Sequence, residues 1–126
     1  MTGDGSHTTD RVVPYGVFTD PELGRVGMTE REARQSGKAV QVARFDMKYN
    51  GKAREIGETK GFIKVIVERE SNLILGAAVL AVEGAELVHE YVDLINARAP
   101  YTVMRDAVHI HPTLSEAVQS AVAAIE

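Results

Sequence analysis

The chain has 126 residues, with 14 Lys and Arg against 18 Asp and Glu for a net charge of −4, 44 % hydrophobic and 25 % charged residues, and no cysteine. This is the composition of one water-soluble globular domain, with no apolar run near the roughly 20 residues of a membrane helix and no block of basic residues for nucleic acid or an anionic membrane. The lack of cysteine excludes disulfides, thiolate metal sites and thiol nucleophiles within the chain; the N-terminal residues have no positive region followed by an apolar one, so a cytoplasmic location is the expectation.

Residues 1–11 are polar and rich in Gly, Ser and Thr, and read as a disordered leader, a tag remnant or a severed linker. A single domain is expected over residues 12–126. Val12, Val13, Tyr15, Val17 and Phe18 predict a first strand, and Thr19-Asp20-Pro21-Glu22 a turn after it. Thr29 and Glu32 form a capping box for a short helix that closes at Gly37. The alternation of Val40, Val42 and Arg44 with Gln41, Ala43 and Phe45 predicts a strand, and Asn50-Gly51 a turn. Gly24-x-x-Gly27 and Gly57-x-x-x-Gly61 also read as turns.

Phe62 to Val67 and Leu73 to Val82 are rich in aliphatic and β-branched residues, and the short polar link between them predicts two central antiparallel strands. After Gly84, the apolar positions Leu87, Val88, Tyr91, Leu94 and Ile95 predict a helix of about three turns that stops before Pro100. A shorter helix is expected over Tyr101 to Ala107. Leu114, Val118, Ala121, Val122 and Ile125 form the stripe of a last one. Strands first and helices last give an α+β fold, an antiparallel β-sheet packed with α-helices on one face.

Candidate chemistry concentrates in His111-Pro112-Thr113-Leu114-Ser115-Glu116. Thr113 and Glu116 have capping-box spacing, so Glu116 has a structural use at the start of the last helix. The same spacing lets the carboxylate bend back to His111 just outside the helix. A carboxylate on one ring nitrogen leaves the other free to exchange a proton, the arrangement of a general acid–base. His109, His111 and Glu116 as three metal ligands form a weaker alternative, because Pro112 and the helix start make the segment a turn. Glu86-x-x-His89 reads as the solvated face of a helix. No dinucleotide fingerprint, phosphate loop or nucleophile elbow is present.

Taken in order, Phe18-Thr19-Asp20-Pro21-Glu22-Leu23, Val26-Gly27-Met28-Thr29-Glu30, Gly57 to Lys64, Ile74-Leu75-Gly76-Ala77, Ala85 to Glu90 and His111 to Glu116 span about 100 residues of a recognisable pattern. The chain resembles the C-terminal dimerisation domain of the pyridine nucleotide-disulfide oxidoreductases, flavoproteins that include dihydrolipoamide dehydrogenase and mercuric reductase-like proteins. The resemblance implies a homodimer in which His111 and Glu116 form a catalytic acid–base pair in the partner subunit's active site. It also implies a cis His111–Pro112 peptide, and backbone of His111 and Pro112 near the partner's flavin. FAD and NAD(P)H would belong to upstream domains of a full-length enzyme, with no cofactor or metal expected on this chain alone. A stand-alone self-association domain is the alternative. His111 stands where mercury reducers tend to carry a different residue, so the resemblance favours a thiol-disulfide substrate, or an uncharacterised one, over mercury.

Overall fold

The computed structural model describes residues 13–126, so Val12 and the expected leader over residues 1–11 lie outside the described residues. Five strands form one antiparallel sheet in the order β1-β2-β5-β4-β3: β1 is Tyr15–Val17, β2 Glu22–Gly27, β3 Val40–Asp46, β4 Phe62–Glu68 and β5 Ile74–Ala81. β3, β4 and β5 are a meander, and the β1–β2 hairpin adds to the free side of β5 through pairs such as Gly24 with Val79. The two strands expected at the centre are there, joined by a short link in which Asn72 adopts φ 62. Asparagine tolerates this left-handed conformation better than most residues.

Period-two alternation on β4 explains how the layers form. Ile63, Val65 and Val67 enter the main core with Val79 and Ala81 of β5. Against them pack α3 (Gly84–Leu87), α4 (His89–Asn96), α5 (Thr102–Arg105) and α6 (Ser115–Ala123), with Leu87, Tyr91, Met104, Val118 and Val122 facing inwards. Tyr91 is fully buried, and its hydroxyl donates to the Val118 carbonyl at 2.8 Å, fastening α4 to α6. Helices were expected on one face only. The alternate residue Lys64 instead reaches Glu30 of α1 (Glu30–Gln35) at 2.9 Å, so α1 lies across the opposite face.

The capping box of α1 is formed in both directions, Glu32 N to Thr29 Oγ1 and Thr29 N to Glu32 Oε1, each 3.0 Å. Other expectations need correction. Glu22 does not complete a turn but begins β2, a strand the sequence hides behind Gly24 and Gly27. Gly24 is no turn residue: a Cβ there would stand 2.3 Å from the Gly84 carbonyl oxygen, so the glycine lets α3 approach the sheet. Asn50-Gly51 does not make a hairpin turn, because Asn50 caps the helix α2 (Gly51–Glu55), accepting from Ala53 N at 2.8 Å. The helix after Gly84 is divided at Val88, where Tyr91 N bonds the Val88 carbonyl over three residues and tightens the turn. No helix among the described residues is long and apolar enough to cross a membrane.

Candidate functional site

The loop between α5 and α6 carries His109, His111 and Pro112. Its ends are fastened by side chains outside the His-Pro pair. On one side, Gln119 Nε2 of α6 lies 3.2, 3.1 and 2.6 Å from the carbonyl oxygens of Met104, Arg105 and Ala107, taking up acceptors left at the end of α5. On the other, Thr113 Oγ1 donates to the Ile110 carbonyl at 2.8 Å and closes a turn around the cis His111–Pro112 peptide that the resemblance implies.

Glu116 joins this turn to α6. Its Oε1 accepts from Thr113 N at 2.9 Å, and its own amide approaches Thr113 Oγ1 at 3.3 Å, which is the reciprocal bonding of a capping box. The same carboxylate lies 3.0 and 3.1 Å from His111 Nδ1. The Thr113 amide above all, and then the His111 ring, hold the Glu116 carboxyl below the ordinary value of 4.5, so it is ionised at neutral pH and can only accept. Nδ1 therefore carries the hydrogen that is donated, and the neutral ring keeps Nε2 as a bare acceptor. The His111 side chain is 76 % exposed, against 26 % for Glu116, so a sheltered carboxylate orients a ring that faces outwards.

His109 takes a separate partner. Its Nε2 is 3.9 Å from Glu90 Oε1, and its buried Nδ1 has no hydrogen-bond partner among the described residues. Burial raises the Glu90 carboxyl above its ordinary value, opposed by a hydrogen bond from Ser115 and by the nearby His109. The two histidines thus point to different carboxylates, and among the described residues no three His, Cys, Asp or Glu side chains converge as a metal site would require. Glu86 and His89 both lie exposed, as a solvated helix face should. A hollow of about 500 Å³ beside Pro112 is lined by Lys52, Glu83, Glu86, Glu90 and Ser115 among others.

Two side chains that reach this loop were not among the sequence candidates. Gln119 sits in the apolar-periodic stretch of α6 and carries no motif. Asn50 has only a turn signal in the sequence, yet its Nδ2 donates to the Thr113 carbonyl at 3.0 Å across 63 positions. Only the Asn-before-helix pattern of an N-cap was available to mark it.

A sequence model described as the pyridine nucleotide-disulphide oxidoreductase dimerisation domain matches residues 13–122. The chain belongs to this family. It is 38 % identical over 120 residues to the probable pyridine nucleotide-disulfide oxidoreductase RclA of Escherichia coli, covering 94 % of this chain and 27 % of that protein. A dihydrolipoyl dehydrogenase of Haloferax volcanii is 38 % identical over 121 residues, 96 % of this chain and 26 % of that one. The solved structure of the HOCl-induced flavoprotein disulfide reductase RclA from Escherichia coli matches with a TM-score of 0.88 at 36 % identity, over 96 % of this chain and 28 % of that one. The chain thus spans about a quarter of the length of these relatives.

Proposed function

We propose that this dimerisation domain works within an FAD-dependent, NAD(P)H-linked disulfide oxidoreductase, as a homodimer in which His111 and Glu116 serve as an acid–base pair in the partner subunit's active site. The observation that carries the reading is the Glu116 carboxylate on His111 Nδ1, which leaves Nε2 on an outward-facing ring. An oriented imidazole of this kind takes a proton from a thiol and returns it to a departing thiolate, the exchange on which disulfide interchange depends. Glu116 keeps its own charge and its hold on Nδ1 while the proton is carried. A disulfide or dithiol is accordingly the proposed substrate class.

His111 and Pro112 are exposed and offer one edge of a site, which suits a flavin held mainly by another subunit. When bound by the rest of such an enzyme, FAD supplies electron transfer from NAD(P)H to a cysteine pair. This chain supplies the proton traffic at Nε2. Val108, 100 % exposed, and Ile110, 79 % exposed, flank His109 and are apolar surface that a second copy would cover.

The test is steady-state kinetics of the flavoenzyme that carries this domain. Replacing His111 by Gln should lower disulfide turnover by about 10²- to 10⁴-fold while FAD remains bound. Unchanged turnover with weakened dimerisation would favour a self-association domain without a catalytic role. A coding sequence upstream that holds neither a Cys-x-x-x-x-Cys pair nor a dinucleotide fingerprint would overturn the larger reading.

A further inference from the structure

We infer that Asn50 is a positioning residue for His111, acting through Thr113. The Asn50 side chain is buried, at 4 % exposure, and both ends of its amide are used. Oδ1 accepts from Ala53 N at 2.8 Å, and Nδ2 donates to the Thr113 carbonyl at 3.0 Å. The orientation of the amide is forced, because the Ala53 amide can only donate and the Thr113 carbonyl can only accept.

Capping α2 does not require this residue. Ser, Thr and Asp cap as well, since a cap needs only an acceptor. What Asn adds is a donor on the same short side chain, and that donor is spent on the residue two positions after His111. Thr113 is thereby held at each of its polar groups: its carbonyl by Asn50, its hydroxyl by the Ile110 carbonyl, and its amide by Glu116 Oε1. The start of α2 lies against the histidine itself, for a Cβ on Gly51 would be 3.7 Å from His111 Cε1 and 3.9 Å from Pro112 Cβ. Thr113 carries the amide that anchors Glu116, and Glu116 orients the ring, so a shift of Thr113 moves the carboxylate relative to His111 Nδ1. A site that depends on one hydrogen bond loses its geometry with displacements of a fraction of an ångström.

This rests on the proposed acid–base role of the pair, and its test separates the two. Asn50→Ser keeps a capping oxygen but is too short to reach Thr113; Asn50→Asp keeps the cap and the shape but places an acceptor against the Thr113 carbonyl. The tautomer of His111 is read in the 126-residue chain by long-range nitrogen–proton NMR of the ring at alkaline pH, with the α2 amide signals as the control for folding. The wild type should show the Nδ1–H form. Both variants should lose that preference towards the mixture of free imidazole while α2 stays formed. Agreement between the uncharged Ser and the charged Asp variant sets aside a charge effect. If both variants keep the wild-type tautomer, Asn50 only caps α2 and the inference is overturned. If both lose the fold, Asn50 is a folding residue and the inference fails in that way. A wild type without the Nδ1–H preference would overturn the pair itself, and this inference with it.

Discussion

Glu116 Oε1 accepts the Thr113 amide at 2.9 Å and lies 3.0 Å from His111 Nδ1, so one oxygen starts helix α6 and holds the histidine. The two demands agree in sign, since each favours the ionised carboxylate. Its folded-state value lies below 4.5, with the Thr113 amide as the larger cause. A carboxyl depressed on folding contributes stability that is present above its unfolded value and is lost as pH falls through the folded one. In urea unfolding, Glu116→Gln should therefore lose less stability than the wild type on acidification below 4.5. Acid limbs of equal slope would show that the charge does no such work.

The clamp on the loop can be tested away from the histidine. Gln119 Nε2 serves the carbonyls of Met104, Arg105 and Ala107, and Gln119→Leu removes all three contacts. The expected loss is about 1 kcal/mol in global stability. Amide exchange over residues 106–110 should quicken more than that of β4. Equal quickening in both would make Gln119 a general packing residue.

Tyr91 gives a purely structural control. Tyr91→Phe removes the donor to the Val118 carbonyl inside the core and leaves that oxygen its bond within α6, at a cost of about 0.5–1.5 kcal/mol. The denaturation midpoint should fall with an unchanged slope, and the His111 tautomer should stay as in the wild type. A midpoint that does not move would mean that the Tyr91 hydroxyl does not fasten α4 to α6.

Two glycines should respond oppositely to a methyl group. At Gly24 the new Cβ meets the Gly84 carbonyl oxygen at 2.3 Å and Val88 Cβ at 2.9 Å, so backbone must shift and Gly24→Ala should cost about 1–3 kcal/mol or more. At Gly51 the nearest atom is 3.7 Å away, and the residue is the first of α2. Gly51→Ala should be neutral or gain up to about 1 kcal/mol from helix propensity. Thermal unfolding of the pair, run side by side, decides; a stable Gly24→Ala would refute the close approach of α3.

The proposed dimer face rests on Val108 and Ile110. Both are exposed, so Val108→Asp with Ile110→Ser should leave the circular dichroism of the chain unchanged. Sedimentation should show dissociation at concentrations where the wild type is paired, because an uncompensated charge in a covered apolar patch opposes association. Unchanged self-association would place the interface elsewhere.

Local patterns made much of this protein legible. The alternation in Phe62 to Val67, the capping boxes of Thr29 with Glu32 and Thr113 with Glu116, and the apolar steps from Leu87 to Ile95 each arise within a few residues. Such signals survive in sequence because their cause is local. The reach of Glu116 back to His111 was legible for the same reason, being only five positions long.

Other features were decided by contacts between distant segments. β2 is a strand because its backbone pairs with β5, whereas its own Gly24 and Gly27 disfavour one, and Gly24 is chosen for the nearness of Gly84. The Asn50 amide caps α2 through a local bond to Ala53, but its second bond spans 63 positions to Thr113 and has no local pattern. Sequence alone thus determined β1, β3, β4 and β5, the capped starts of α1 and α6 and the reach of Glu116 to His111, all set by short-range propensity and spacing. Tertiary structure decided which residues hold that pair in place, because a buried donor finds its acceptor through packing, and packing joins residues that no local pattern connects.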